Sequence, residues 1–114
     1  MFWNRKASAG VPKIEELTPS QVQAALAQGK VVLVDVREVS EHAAERIPGS
    51  LMNPLSRFNP AALPVGDKRV VLYCRSGARS AKALAKCAAA GVSVNSHMAG
   101  GIMAWKSARL PTVT

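Results

Sequence analysis

Aromatic residues are scarce in this 114-residue chain, at 4%. Hydrophobic residues still reach 48%, so a core can form, and it must be built from Val, Leu, Ala and Ile. Such a core suits an α/β layer arrangement better than an aromatic-rich barrel. Acidic residues are few as well: seven Asp and Glu stand against fifteen Lys and Arg, a net charge of +8. That field attracts anions. The basic residues come in ones and twos, with no aromatics interleaved, which argues against a nucleic-acid reader. Two cysteines, Cys74 and Cys87, are too few for a disulfide framework. The N-terminal M-F-W-N-R-K-A-S-A-G-V-P lacks an apolar signal-peptide core, and no apolar stretch reaches the ~18 residues of a membrane span. The expectation is a one-domain cytoplasmic protein with reduced thiols and no membrane partner.

Residues 1–11 read as a loose tail, with Phe2 and Trp3 free to dock or to fray. A short edge strand is expected to open at Lys13-Ile14. Thr18 then caps a helix with Pro19 in its first position and Gly29 as its stop. V-V-L-V-D-V (31–36) is apolar on both faces, which places it inside a parallel sheet. A short helix over 40–46 is expected to start on Ser40, followed by a brief strand near 50–53. Residues 54–69 hold three prolines and a glycine and read as loop. R-V-V-L-Y-C (69–74) is a second buried-type strand, and a helix runs from near Ala78 to Gly91. V-S-V-N-S-H (92–97) makes a last strand, and a short helix closes the chain. Strands alternating with helices predict a mostly parallel sheet covered on both faces, with ligands outside the carboxyl ends of the strands.

Cys74 and Asp35 both sit at such carboxyl ends. After Cys74, R-S-G-A must turn tightly, and small residues let backbone N–H groups point inward. The next helix adds its unpaired N–H groups and the positive end of its dipole. This cup of donors lowers a thiol pKa and binds an anion beside it. Arg75 and Arg79 add charge, and either can fork onto an oxyanion such as thiosulfate. The competing reading is a buried structural cysteine before an ordinary helix.

Four motifs in order now resemble a single-domain rhodanese over about residues 12–111. They are V-L-V-D-V-R-E (32–38), R-I-P-G-S-L (46–51), V-V-L-Y-C-R-S-G-A-R-S (70–80) and H-M-A-G-G-I-M-A-W (97–105). The resemblance implies a rhodanese-like three-layer sandwich, with a central, mostly parallel five-stranded sheet and helices on both faces. It implies that Cys74 takes a sulfane sulfur from a small anionic donor as a persulfide. The outer sulfur then passes to a thiophilic acceptor, cyanide or a thiol. The backbone of Arg75, Ser76, Gly77, Ala78 and Arg79 would cradle the persulfide, with Ser80 closing the substrate-binding loop. No metal and no organic cofactor is implied. Phosphatases and arsenate reductases of the same fold carry a longer C-x5-R loop, whereas Cys74 to Arg79 is C-x4-R. A sulfur-relay or purely binding module serving a protein partner is the alternative. Arg46, Ser50, Met52 and Asn53 depart from the family pattern, all outside the cysteine loop.

Asp35 and Arg37 lie two apart and so share a face. Asp35 is expected to hold the cysteine loop by accepting backbone N–H bonds, with Arg37 adding positive field, or the two form a structural ion pair. Cys87 lies ~12 Å of helical rise beyond Arg79, too far to resolve a persulfide as a disulfide, and is assigned to the core. His42 reads as a surface residue, and His97 as an end-of-strand residue able to hold the neighbouring loop. Without ligand spacing they make no metal site. Met98 and Met103 are assigned to the core, as is Trp105, and a monomer is expected.

Overall fold

The computed structural model describes residues 13–114; the tail containing Phe2 and Trp3 lies outside the described residues. Five strands form one sheet, wholly parallel in its pairings. They are β1 (Glu15–Leu17), β2 (Val31–Asp35), β3 (Leu51–Met52), β4 (Arg69–Tyr73) and β5 (Ser96–Met98), in the spatial order β1-β5-β4-β2-β3. The helices are α1 (Pro19–Ala27), α2 (Val39–Ala44), α3 (Ala78–Ala89) and α4 (Gly101–Ser107). This is the expected rhodanese-like α/β architecture.

Alternation along β4 divides the core into two layers. Val70, Leu72 and then Cys74 pack with Val34, Val36, Ala83, Leu84 and Cys87, under α3. Val71 and Tyr73 pack on the other face with Val22 of α1, Ile102 and Trp105 of α4, and Met98. Helices cover β4 on both sides, which is why its side chains are apolar on both faces. Among the described residues no helix is long and apolar enough to cross a membrane.

Thr18 caps α1 as expected: its Oγ1 accepts from the Gln21 N–H at 3.2 Å. Some boundaries differ from the sequence reading. The first strand begins at Glu15, not Lys13, because its ladder partners on β5 start at Ser96. Helix α2 starts at Val39 after Glu38, not on Ser40; the Glu38 N–H donates to Glu41 Oε1 at 2.9 Å, so the carboxylate one turn in satisfies the helix entrance. The last strand covers Ser96–Met98 rather than 92–97. Val92 and Val94 drop into the core from a bend in which the Val94 N–H donates to the Val92 carbonyl. Residues 54–69 hold two 3-10 turns, Leu55–Arg57 and Pro60–Ala62.

Candidate active site

Cys74 follows the last residue of β4, and Arg75, Ser76 and Gly77 carry the chain to α3. Gly77 has φ +120°, open to glycine and rarely to any other residue. Its N–H donates to Cys74 Sγ at 3.0 Å, and the Ser80 N–H does so at 3.4 Å. The Ser80 hydroxyl lies 3.6 Å from the sulfur. Burial pushes the Cys74 thiol up, but the Ser80 N–H and hydroxyl and the N–H groups of Gly77 and Ser76 outweigh it. The net shift is downward, towards thiolate. Cys87 has burial alone, which pushes its thiol up.

The loop is fixed from outside by the start of α4. The Ile102 N–H donates to the Cys74 carbonyl at 2.9 Å and the Met103 N–H to the Arg75 carbonyl at 3.1 Å. The Gly100-Gly101 pair thus sets a helix against the back of the cysteine turn.

Arg75 and Ser76 are exposed, while Arg79 is half-buried. Arg79 does not reach toward an anion position. Its guanidinium forks onto Glu41 of α2, at 2.6 and 2.9 Å. That contact holds the Glu41 carboxyl down to about 2 and raises Arg79. Glu41 carried no signal in the sequence, since only the fold brings α2 beside α3.

Asp35 is fully buried, and it holds its own strand end rather than the cysteine loop. It accepts from the Arg37 N–H and Nε at 2.9 Å and from Arg37 Nη2 at 2.7 Å. Arg37 also donates to the Glu45 carbonyl at 2.7 Å, and its guanidinium lies 5.7 Å from the centre of the Tyr73 ring. Of the two readings of this pair, the geometry is that of the ion pair. His42 is not a free surface residue: its Nδ1 is 2.9 Å from the Asp35 carboxylate. His97 does reach the loop's helix, with Nδ1 2.6 Å from the Ser80 hydroxyl.

Met98 is core, but Met103 is not; it is 46% exposed. It lines a cavity of about 490 Å³ together with Arg37, Glu41, Glu45, Arg75 and Lys106. The cavity meets the cysteine loop at Arg75 and carries charges of both signs. Among the described residues no cluster of His, Cys, Asp or Glu is arranged to hold a metal ion.

Three of the four residues that depart from the family pattern, Arg46, Ser50 and Asn53, have structural partners. Ser50 Oγ is 2.8 Å from the Tyr73 hydroxyl. Asn53 is buried and exchanges two hydrogen bonds with the Asn59 backbone, at 2.9 and 3.0 Å. Arg46 forms a backbone bridge with Val113.

A family model for the rhodanese-like domain matches residues 18–108. The uncharacterized protein slr1261 of Synechocystis is 46% identical over 98 residues, covering 85% of this chain. The chain spans 55% of that relative's length. A protein named sulfurtransferase from Allochromatium vinosum is 41% identical over 85 residues, covering 73% of this chain and 78% of the relative. The crystal structure of a rhodanese-related protein from Thermoplasma volcanium superposes with a TM-score of 0.74 at 25% identity, covering 87% of this chain and 97% of that one. A cysteine cradled by backbone donors between a central parallel strand and a helix, and a family match over that whole frame, lead to one statement: the chain belongs to the rhodanese-like domain family.

Proposed function

We propose that the protein is a sulfurtransferase in which Cys74 carries the transferred sulfur. The thiolate attacks the outer sulfur of a thiosulfate-type donor. The donor S–S bond breaks, sulfite leaves with the bonding pair, and Cys74 holds a persulfide whose outer sulfur is anionic. A thiophilic acceptor, cyanide or a thiolate, then attacks that outer sulfur, and Cys74 departs as thiolate. Each step conserves charge, and neither calls for a metal or organic cofactor.

The observation that carries the reading is the pair of N–H groups, from Gly77 and Ser80, that converge on Cys74 Sγ while its thiol is shifted towards the anion. Such donors favour a nucleophilic thiolate and the anionic persulfide that replaces it. Arg75, exposed on the loop, and the net charge of +8 suit an anionic donor. The Allochromatium relative's name supports transfer of sulfur in the family. Arg79, tied to Glu41, contributes field and loop placement rather than a direct fork on the donor.

The test is intact mass after incubation with thiosulfate, before and after cyanide. One sulfur atom gained, removed by cyanide and absent in Cys74→Ser, is the expected result. No gain from thiosulfate, but a gain from a protein persulfide, would make the domain a relay module instead. No gain from either would end the transfer reading.

A further inference from the structure

The cradle continues beyond Cys74 through the side chain of Ser80. Ser80, in the first turn of α3, is fully buried. Its Oγ lies 3.6 Å from Cys74 Sγ, 2.6 Å from His97 Nδ1 and 3.1 Å from the Gly77 carbonyl. His97 is 3% exposed, and its Nε2 is 3.0 Å from Glu16 Oε2. The sheet register explains this alignment. Glu16 on β1, His97 on β5 and Leu72 on β4 are successive cross-strand partners, so their side chains share the face that α3 covers. A chain of thiol, hydroxyl, imidazole and carboxylate runs from the buried sulfur to a side chain 62% exposed.

Counting protons shows what this chain does. Ser80 has one hydroxyl hydrogen. The Glu16 carboxylate only accepts, so Nε2 carries a hydrogen. When Nδ1 is bare, Ser80 donates to it and offers the sulfur only lone pairs, which suits an S–H donor. When Nδ1 is protonated, it donates to Ser80, and the hydroxyl hydrogen is left to the Gly77 carbonyl or the sulfur, of which a thiolate, being charged, is the stronger acceptor.

We propose that His97, acting through Ser80, accepts the thiol proton of Cys74, with Glu16 holding the resulting imidazolium. The S–H bond breaks with its electron pair left on sulfur. Its proton passes to Ser80 Oγ as the proton of Ser80 moves to His97 Nδ1. The sulfur steps proposed above exchange one anion for another, so the proton stays on His97 through a cycle. The relay sets the resting ionisation of the site. His97 is therefore a positioning residue for the sulfur chemistry, and the inference rests on Cys74 being the reacting thiol.

Few other charges face the imidazole. From β1, Glu15 is turned to Arg69. From α3, Cys87 is buried in the same layer, Arg79 is held by Glu41, and Lys82 and Lys86 are exposed on the outer side. From β4 the titratable group on this face is Cys74 itself.

The experiment is the pH dependence of Cys74 alkylation by iodoacetamide in the wild type, His97→Asn and Glu16→Gln, with Cys74→Ser as background. A coupled pair gives the wild type a two-step rise with pH. His97→Asn, which keeps a hydrogen-bonding side chain but cannot take a proton, is expected to give one step. At about pH 6.5 its rate falls about tenfold, the equivalent of one unit in the thiol pKa. Glu16→Gln, at an exposed side chain, moves the curve in the same direction by less. A His97→Asn curve lying on the wild-type curve overturns the relay. Where that variant does not fold, a Glu16→Gln curve lying on the wild-type curve does so. Sulfur uptake from thiosulfate is read in the same proteins by mass. Uptake with an unresponsive profile sinks the relay alone; a responsive profile with no uptake from thiosulfate or from a protein persulfide sinks the transfer reading alone.

Discussion

A β-carbon on Gly101 would lie 2.4 Å from the carbonyl oxygen of Cys74 and 2.4 Å from the Arg75 carbonyl. Gly101 also has φ +60°. The closing helix can press on the cysteine turn only because residue 101 has no side chain. Gly101→Ala is expected to destabilise the fold by about 3 kcal/mol, about 1 from the left-handed backbone and about 2 from overpacking. The displaced loop should also slow sulfur transfer about a hundredfold, as misplacement of a reacting group does. Urea unfolding and transfer assays on the same preparation check both; a full-rate alanine variant would dissociate this contact from the chemistry.

Two ion pairs of like chemistry should have opposite value. Asp35 and Arg37 are buried, whereas Glu15 and Arg69 are each nearly half exposed. Asp35→Asn leaves the buried Arg37 guanidinium and His42 without their carboxylate and is expected to cost about 3–5 kcal/mol. Glu15→Gln should cost about 1 kcal/mol or less. Equal midpoints in urea for the two variants would contradict this ranking.

Acid should loosen the contact between α2 and α3. Glu41 is held down to about 2 by Arg79, from an ordinary 4.5. A depressed carboxylate adds stability that is present above the unfolded pKa and is lost as pH falls through the folded one. Its contribution should therefore disappear between about pH 4.5 and pH 2. Glu41→Gln should unfold at lower denaturant near neutrality yet lose less on acidification through that window. Parallel stability curves for variant and wild type would show that the pair contributes no pH dependence.

The two cysteines should be chemically distinct. Cys74 is shifted towards thiolate, and Cys87 is pushed up by burial with no donor bond to offset it. Brief alkylation of the native protein near neutral pH should therefore add one group, on Cys74, and a second only after unfolding. Two adducts at equal rates on the folded protein would show that the cradle does not activate the thiol.

Tyr73, the one tyrosine of the chain, should titrate late. Burial and the Asp35 charge push its phenol up to about 12, against the bonds from Ser50 and the Ile47 N–H, which act the other way. Ultraviolet titration should show no phenolate below about pH 11 in folded protein. An ordinary midpoint near 10 would mean that the hydroxyl is not sealed between Ser50 and Ile47.

The residues whose role was legible in the sequence announce themselves locally. V-V-L-V-D-V can be apolar on both faces only in a covered sheet, and a cysteine before S-G-A needs only the strand and helix either side to be placed. Thr18-Pro19 fixes a helix start without help from the rest of the chain. Non-local pairing was not legible. Nothing near Glu41 signals Arg79, 38 positions on, and nothing near Glu16 signals His97. Arg79 looked free to bind an anion because its partner lies on another helix. Met103 has the spacing of a core residue on a short helix, yet faces the cavity between α4 and α2.

Cys74 extends β4, the middle strand, which is bonded along both edges to β5 and β2. In a sheet of this kind the centre is the last part to exchange its amide hydrogens, since opening it means parting two ladders at once. Transient breathing of the edges, three residues of β1 and two of β3, leaves the sulfur covered. Peroxide or another oxidant can therefore reach the thiol by way of the turn itself, and the shelf life of the reduced protein should follow the motion of residues 75–77 rather than the stability of the fold.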